Sequence, residues 1–587
     1  MGILNFKKKM SNKSNKLNLL TNLVEKKGAD FYLLSTTDEF LNEYVPEENM
    51  RLKWLTNFSG SNGYALISKK NNYFFTDGRY TLQAKKELDK VFKVIDLNQE
   101  SVSDFIFRNF EKTKILVDTK NFSKNFILNI IKKNLIRKNK IIHDKENLID
   151  SLWTNKPQEN QKPFFFLQKK FSGLSSSKKI KKLRDSLKNQ TLIMTSPESI
   201  CWLLNIRGFD LPHTPLVLSR LIISSKEIVF YVNRKKIPKR IEFNFDLIIK
   251  DISDFDKDLS KYKNLKLLIE NQVSYHIFNT LKKNNSLDVE NDICKKLKAI
   301  KNSAEILCSE NAHIQDGLAL VKFFYWIEKN IKNKISEYDA AKKLESFRKE
   351  GKDFFSLSFP TISATGSNGS IIHYNPKAKS AILKESDLYL CDSGGQYFGG
   401  TTDVTRTIFL GKKKPSKNII NLYTYVLMGH LNISLAKFPF GTKGYQIDTI
   451  ARYELWKNGF DYNHGTGHGV GSFLGVHEGP QSLSKAVSDI SLQPGMIVSN
   501  EPGYYRDKEF GIRIENLVLV KKSKIKNFCE FKTLSLFPYE KKLINENLLS
   551  NDQIKWINNY HKDVYTKLNP YLEDKYRLWL FNKTKMI

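Results

Sequence analysis

Four carboxylates sit inside apolar, strand-like stretches in the C-terminal half of this chain, and they restrict its fold more than any other feature. Two lie in DLYLCDSGGQYFGGTTDVTRTIFL, residues 387–410, where apolar alternation flanks a Gly-rich centre and reads as a β-hairpin. A turn between Tyr397 and Phe398 would set Asp392 opposite Asp403, with Cβ atoms about 4.5–5.5 Å apart. The other two lie in SNEPGYYRDKEFGIRIENLVLV, where a loop centred on Lys508 would set Glu501 opposite Glu515. Arg513 falls on the same strand face as Glu515. Facing carboxylates repel, and an unpartnered buried carboxylate takes up a proton rather than stay charged. A cation between them removes both difficulties.

The imidazoles come from NHGTGHGVGSFLGVHEGP, residues 463–480. His464 and His468 have the i, i+4 spacing of a helical zinc site. Gly465, Gly467, Gly469 and Gly471 argue instead for a loop or strand whose backbone can approach a ligand closely. His477 follows, and His373 stands in GSIIHYNP. A lone His is most often structural and a lone Asp most often a turn or cap residue. Here four of the ten histidines cluster in these segments, and both strands around the aspartates are apolar, which favours ligands. Four carboxylates and one imidazole suit two divalent ions of the Mn²⁺ type better than a tetrahedral Zn²⁺ site. Paired metals activate a water and polarise a carbonyl, so the implied chemistry is metal-assisted hydrolysis.

The chain has 587 residues, enough for three or four domains at roughly 150 residues each. Its 40% hydrophobic and 12% aromatic content supports several cores and excludes a mainly disordered chain. WLTNFSGS at 54–61, then YALIS and YFFTDGR, is echoed by WLLNIRGFD at 202–210, then RLIISS and EIVFYVNRK. This repeat predicts two related α/β modules, with a boundary near Asn155–Pro163. Near residue 300 the pattern becomes a long amphipathic helix, capped by Asn302 or Ser303, with Leu307, Ile314, Leu318, Phe324 and Ile327 on its buried face. A second helix starts at Ser336, with Asp339 completing a capping box. The expected fold class is α/β (α+β), with domains at 1–160, 161–300 and 301–587.

The net charge of +33 raises nucleic acid as a partner. The excess is diffuse, +22 in the first 300 residues and +11 after them, and mostly Lys, so it reads as compositional bias. No nucleic-acid partner is expected. No run approaches the roughly 18 apolar residues of a membrane span; the best, Leu216–Ile223, is interrupted by Arg220. The start, MGILNFKKKM, lacks an apolar region behind its lysines, and Phe6 stands where a myristoylation signal wants Ser or Thr. Five scattered cysteines with no CxxC pair read as reduced thiols, so a soluble, cytoplasmic protein is expected.

Beyond spacing, the segments SFPTISATGSNGSIIHY (358–374), DSGGQYFGGTTDVTRT (392–407), HGTGHGVG (464–471), GVHEGP (475–480), NEPGYY (500–505) and GIRIEN (511–516) resemble the pita-bread metallopeptidases. That family holds methionine aminopeptidase, prolidase and aminopeptidase P, and the resemblance is strongest to the long, three-domain cytosolic aminopeptidase P type. TDGRYTLQA, WLLNIRG and WINNYH extend it over nearly the whole chain; residues 1–17 have no counterpart. The resemblance implies two creatinase-like N-terminal modules and a catalytic pita-bread domain. It implies metal ligands at Asp392, Asp403, His468, Glu501 and Glu515, binding two Mn²⁺, with Glu501 also the proton shuttle. It places His373, His464 and His477 against the substrate, with Arg79 as a peptide contact and Arg513 supporting the site. The implied reaction is hydrolysis of the bond between an N-terminal residue and a following proline, in a homodimer. The alternatives are a prolidase, restricted to Xaa–Pro dipeptides, a metal-independent creatinase-like amidinohydrolase, and an inactive peptide-binding module. The five intact ligand positions disfavour the last two, and the chain length disfavours the first.

Overall fold

Two six-stranded sheets of identical topology account for most of the N-terminal half. In the computed structural model, which describes residues 15–587 apart from Lys145 and Lys188, the first contains β1 (Phe31–Ser35), β2 (Tyr64–Ile67), β3 (Asn72–Thr76), β4 (Phe92–Asp96), β5 (Lys114–Val117) and β6 (Lys140–His143). Its order is β4-β3-β2-β1-β5-β6. The β1–β2 and β2–β3 pairs are antiparallel, and β3–β4, β1–β5 and β5–β6 are parallel. The second sheet contains β7 (Thr191–Met194), β8 (Ser219–Ile223), β9 (Ile228–Val232), β10 (Ile248–Asp251), β11 (Lys266–Glu270) and β12 (Ser286–Glu290), in the order β10-β9-β8-β7-β11-β12. Its pairs repeat the same antiparallel and parallel sense. The faint sequence echo is thus a duplication of topology.

The continuous apolar runs are those of strands covered on both faces. All of β8 is buried, Arg220 included. That guanidinium donates to Thr195 O at 2.8 Å and lies 4.1 Å above the Phe40 ring, which is how a strand interior accommodates the charge. The helices that follow β5 and β11, α1 (Lys124–Asn134) and α2 (Tyr275–Lys282), are capped by Ser123 and Ser274. These caps meet reciprocally: Lys124 N donates to Val273 O and Tyr275 N to Phe122 O, each at 2.9 Å.

The chain divides into two compact units. One comprises Met1–Phe166, Ser176–Leu211 and Leu216–Cys294; the other comprises Lys295–Ile587 with the short segments Leu167–Ser175 and Pro212–Pro215. In the second unit, α3 (Ser303–Asn330) opens with a capping box from Asn302 and Glu305, and α4 (Glu337–Lys349) with one from Ser336 and Asp339. The expected buried face of α3 holds for Phe324 and Ile327, but Leu307 is 57% exposed. The first turns of that face instead bury Ser309, His313 and Asp316, with Asp316 paired to buried Arg348 at 2.7 Å.

Strands β13 (Phe354–Leu357), β14 (Ile362–Thr365), β15 (Leu388–Ser393), β16 (Gly395–Tyr397), β17 (Gly400–Thr401) and β18 (Val404–Phe409) form two sheets, β13-β16-β17 and β14-β15-β18. Here the expected register is corrected. Asp392 faces Thr405, and Tyr397 faces Gly400. The turn sits at Phe398–Gly399, one residue later than the spacing suggested, because Gly399 takes a φ of +84° at no steric penalty. Asp403 therefore lies two residues from the position opposite Asp392, on the same face.

A four-stranded sheet follows: β19 (Lys437–Pro439), β22 (Ile497–Asn500), β25 (Asn516–Lys522) and β26 (Phe528–Thr533), in the order β19-β26-β25-β22. Beside it are the pairs β20 (Gly467–His468) with β21 (Ser482–Leu483) and β23 (Gly503–Arg506) with β24 (Phe510–Arg513). Asn500 faces Asn516 and Gly503 faces Arg513, with Lys508 at the turn in the left-handed region. That register carries Glu501 opposite Glu515. The main core packs α3, α5 (Lys417–Leu435) and α7 (Asn551–Leu568) on these sheets through Phe323, Ile408, Leu427 and Ile557; α6 (Gly444–Trp456) contributes Leu455.

Candidate metal centre

Glu501 and Glu515 stand where one ladder ends and the next begins, so their backbones bond elsewhere: Glu501 N to Thr466 O at 2.8 Å, Glu515 N to Thr405 O at 3.1 Å. This ties them to the segments bearing His468 and Asp403. Asp403, His468 and Glu515 each offer a ligand atom, all within 4.8 Å of one another. His468 Nε2 is 3.6 Å from Asp403 Oδ2 and 3.5 Å from Glu501 Oε1. Its Nδ1 lies 3.0 Å from Gly469 O, which assigns the proton to Nδ1 and leaves Nε2 as the electron-pair donor toward the carboxylates. Asp392 joins them through Arg513, whose Nη2 donates to Asp392 Oδ2 at 2.6 Å.

The electrostatics show what the cluster lacks. Burial, reinforced by the neighbouring carboxylates, pushes Asp403 and Glu515 well above the usual range. Burial lifts Glu501 to about 7, with Arg513 opposing and Asp392 assisting. Asp392 Oδ1, Asp403 Oδ1 and Glu515 Oε1 are buried without a hydrogen-bond partner. Four carboxylates face one guanidinium, so the pocket is short of positive charge, and the orphaned oxygens with one imidazole fit divalent cations.

The remaining expected residues surround this cage in different ways. Arg513 is fully buried and held charged: burial opposes it, but Tyr505, Asp392 and Glu501 outweigh burial. Its Nη1 donates to Tyr505 Oη at 2.7 Å, and Tyr505 Oη lies 2.9 Å from His464 Nε2. His464 Nδ1 lies 2.7 Å from Gly465 O, so Nδ1 carries the proton and the phenol donates to Nε2. The His477 ring stands 4.4 Å from that of His468, at 75°. His373 is half-buried in a loop tied down by Glu337, which accepts from Thr365 N at 2.7 Å, Tyr374 Oη at 2.6 Å and Ala381 N at 3.2 Å. Arg79 belongs to the other unit, where its guanidinium grips Asp77 at 2.9 and 2.8 Å.

Sequence reasoning passed over several residues that hold these groups. Thr405 Oγ1 donates to Glu515 Oε2 at 2.7 Å, and Ser499 Oγ to Glu501 Oε1 at 3.1 Å. Tyr505, Glu337 and Glu478 were equally invisible as supports. All but Glu337 lie inside the motifs and segments of the sequence analysis, and none of these says what its polar members touch.

Matches to known proteins extend the geometry. Residues 308–522 match the model of metallopeptidase family M24, 527–587 that of its C-terminal region, and 16–152 and 155–305 two models of the creatinase/prolidase N-terminal domain. A Coprinopsis cinerea protein named as a probable Xaa-Pro aminopeptidase P is 37% identical, covering 98% of each chain. The chain belongs to metallopeptidase family M24. Within the family, Xaa-Pro aminopeptidase 1 of Dictyostelium discoideum is 37% identical over 97% of this chain and 96% of its own. A crystal structure of X-prolyl aminopeptidase from Caenorhabditis elegans, described as a cytosolic enzyme with a di-nuclear active site, superposes with a TM-score of 0.94. It has 31% identity and covers 98% of this chain and 100% of that one. The fold is therefore the mixed α/β one of that family: two creatinase-like N-terminal modules followed by a pita-bread domain.

Proposed function

We propose that this protein is a metal-dependent aminopeptidase that removes the N-terminal residue from peptides with proline in second position. The observation that carries the reading is the cage of Asp392, Asp403, His468, Glu501 and Glu515, three of whose buried oxygens have no protein partner. These five residues would hold two divalent cations, with Mn²⁺ favoured because carboxylates dominate the donor set. When bound, such ions supply Lewis acidity toward the scissile carbonyl and acidify a water.

The chain's own groups do the rest. Glu501 takes the water's proton at its carboxylate and returns it to the leaving proline nitrogen. His464, held by Tyr505 and, through its carbonyl, by Arg452 at 2.6 Å, lines the substrate with His373 and His477. Arg513 holds Asp392 in place through its 2.6 Å hydrogen bond. The substrate rule has a physical basis: an Xaa–Pro bond offers no amide N–H and carries a rigid ring, so a peptidase that grips that donor fails on it. We read the chain as three domains, 1–160, 161–300 and 301–587.

We also propose a cytoplasmic homodimer. None of its five cysteines is disulfide-bonded, and among the described residues no helix is long and apolar enough to cross a membrane. Tyr453 and Trp456, 55% and 43% exposed on successive turns of α6, offer an apolar face for a second copy. Chelation followed by readdition of single metals tests the central reading. Activity on an Xaa-Pro-Yaa tripeptide should vanish and return best with Mn²⁺, and elemental analysis should find two ions per chain. Full activity in a metal-free preparation would reject it, and cleavage of Xaa-Pro dipeptides alone would make the enzyme a prolidase.

A further inference from the structure

Residues 469–476 join His468 to His477, and the loop is held against its own strain. Phe473, fully buried, adopts a φ of +53°, a region bulky side chains avoid. One end is tied down by Ser472 Oγ donating to Gly399 O at 2.9 Å and by Gln396 Nε2 donating to Leu474 O at 2.6 Å. Past the other end, next to His477, is Glu478. Its N–H donates to Gly469 O at 2.7 Å, beside His468. Its carboxylate sits between two lysines: Lys301 Nζ donates to Oε1 at 2.7 Å, and Lys298 Nζ is 2.6 Å from Oε2. All three side chains are 1% exposed. Burial alone would raise Glu478, but the two lysines hold it below the ordinary carboxylate range.

Burying a carboxylate with two ammonium groups carries a desolvation cost, and apolar side chains of the same volume serve stability at least as well. What the triad does supply is a fixed point one residue from His477. We infer that Glu478, clamped by Lys298 and Lys301, is the positioning residue for His477 and sets where that imidazole stands beside His468. The inference rests on the reading of His477 as a substrate-facing group. A displacement of about 1 Å in such a group can lower turnover on the order of a hundredfold.

The test uses the metal-loaded full chain on one Xaa-Pro-Yaa peptide, measuring kcat, KM and metal content. The variants are Glu478→Gln, Lys298→Met, Glu478→Gln with Lys298→Met to remove one of the two ammonium groups, His477→Ala, and His477→Ala combined with each Glu478 variant. Both Glu478 variants should keep two metals and lose about tenfold to a hundredfold in kcat, with a smaller change in KM. In the His477→Ala background the same changes should cost less than about threefold, because coupled residues are not additive. An equal fold-loss in both backgrounds, or full kcat in the folded Glu478 variants, would overturn the assignment. So would failure of both Glu478 variants to fold while Lys298→Met folds, since Glu478 would then be a structural residue. Full kcat in His477→Ala would remove the underlying reading of His477 as well, a result distinct from additivity.

Discussion

At the scale of single residues, the cage separates carboxylates that are held by the protein from one that is not. Asp392 accepts from Arg513 and Glu515 from Thr405, whereas Asp403 Oδ1 has no partner and Oδ2 faces His468 at 3.6 Å. With neither side-chain oxygen taken by a protein donor, Asp403 is the carboxylate that would be shared by two ions. Asp403→Ala should empty the site, with metal content falling together with kcat. Glu501→Gln should differ. It keeps the size and one ligand oxygen but removes the proton acceptor, so kcat should fall about 10²–10⁴-fold with a far smaller change in KM. Metal content measured beside kcat and KM checks both, and two retained ions in Asp403→Ala would reject its bridging role.

At the scale of elements, the glycines near the histidines are needed for close backbone packing rather than for flexibility. β20 is only two residues long and runs against β22 so tightly that a Cβ on Gly467 would meet Ser499 O at 1.9 Å. Neither backbone can give way cheaply, because His468 N is also hydrogen-bonded to Ser499 Oγ at 2.9 Å. Gly467→Ala should therefore displace His468 and lower metal occupancy and activity more than tenfold, as a 1 Å misplacement costs about that or more. Gly459→Ala is the control: its φ is +77°, but a Cβ there meets nothing within 4 Å. It should lose about 1–2 kcal/mol of stability and no metal. Thermal unfolding and metal analysis of the two variants distinguish a loss of ligand geometry from a general cost of replacing glycine.

At the scale of the whole molecule, acid sensitivity should trace to two buried histidines that share Tyr539. His430 donates from Nδ1 to Asn500 O at 3.0 Å and faces Tyr539 Oη with Nε2, while His561 Nε2 accepts from Tyr539 N at 3.2 Å. Burial pushes each down to about 3 from the ordinary 6.5. The unfolded chain therefore binds protons that the folded one refuses. Their contribution to stability is fully present above about pH 6.5 and declines as pH falls toward about 3, by about 1.4 kcal/mol per unit per histidine. Urea unfolding between pH 7.5 and 4.5 should show the His561 share as the difference in slope between the wild type and His561→Gln, which can still accept from Tyr539 N; the raised cage carboxylates act in the opposite sense but equally in both chains. An unchanged slope in the variant would assign the acid sensitivity elsewhere.

Local chemistry was legible in the amino-acid sequence wherever neighbours along the chain decide the outcome. The cap at Asn302 and the capping box at Ser336 are such cases, as are the twin modules and the Glu501–Glu515 register, centred on a left-handed Lys508 in a polar turn. Spacing missed the Asp392–Asp403 register by one residue, because a single glycine, Gly399, moved the turn. It also misread Leu307, since the first turns of that helix bury Asp316 against Arg348, a partner 32 residues away. The groups that hold the cage and its histidines were beyond its reach for the same reason. Thr405 meets Glu515 across 110 positions, and Lys301 meets Glu478 across 177. A motif names the groups that react, because their chemistry is local. Which buried donor or counter-charge fixes each of them depends on chain segments that become neighbours only when the core closes and water is excluded, and that only the tertiary structure decides.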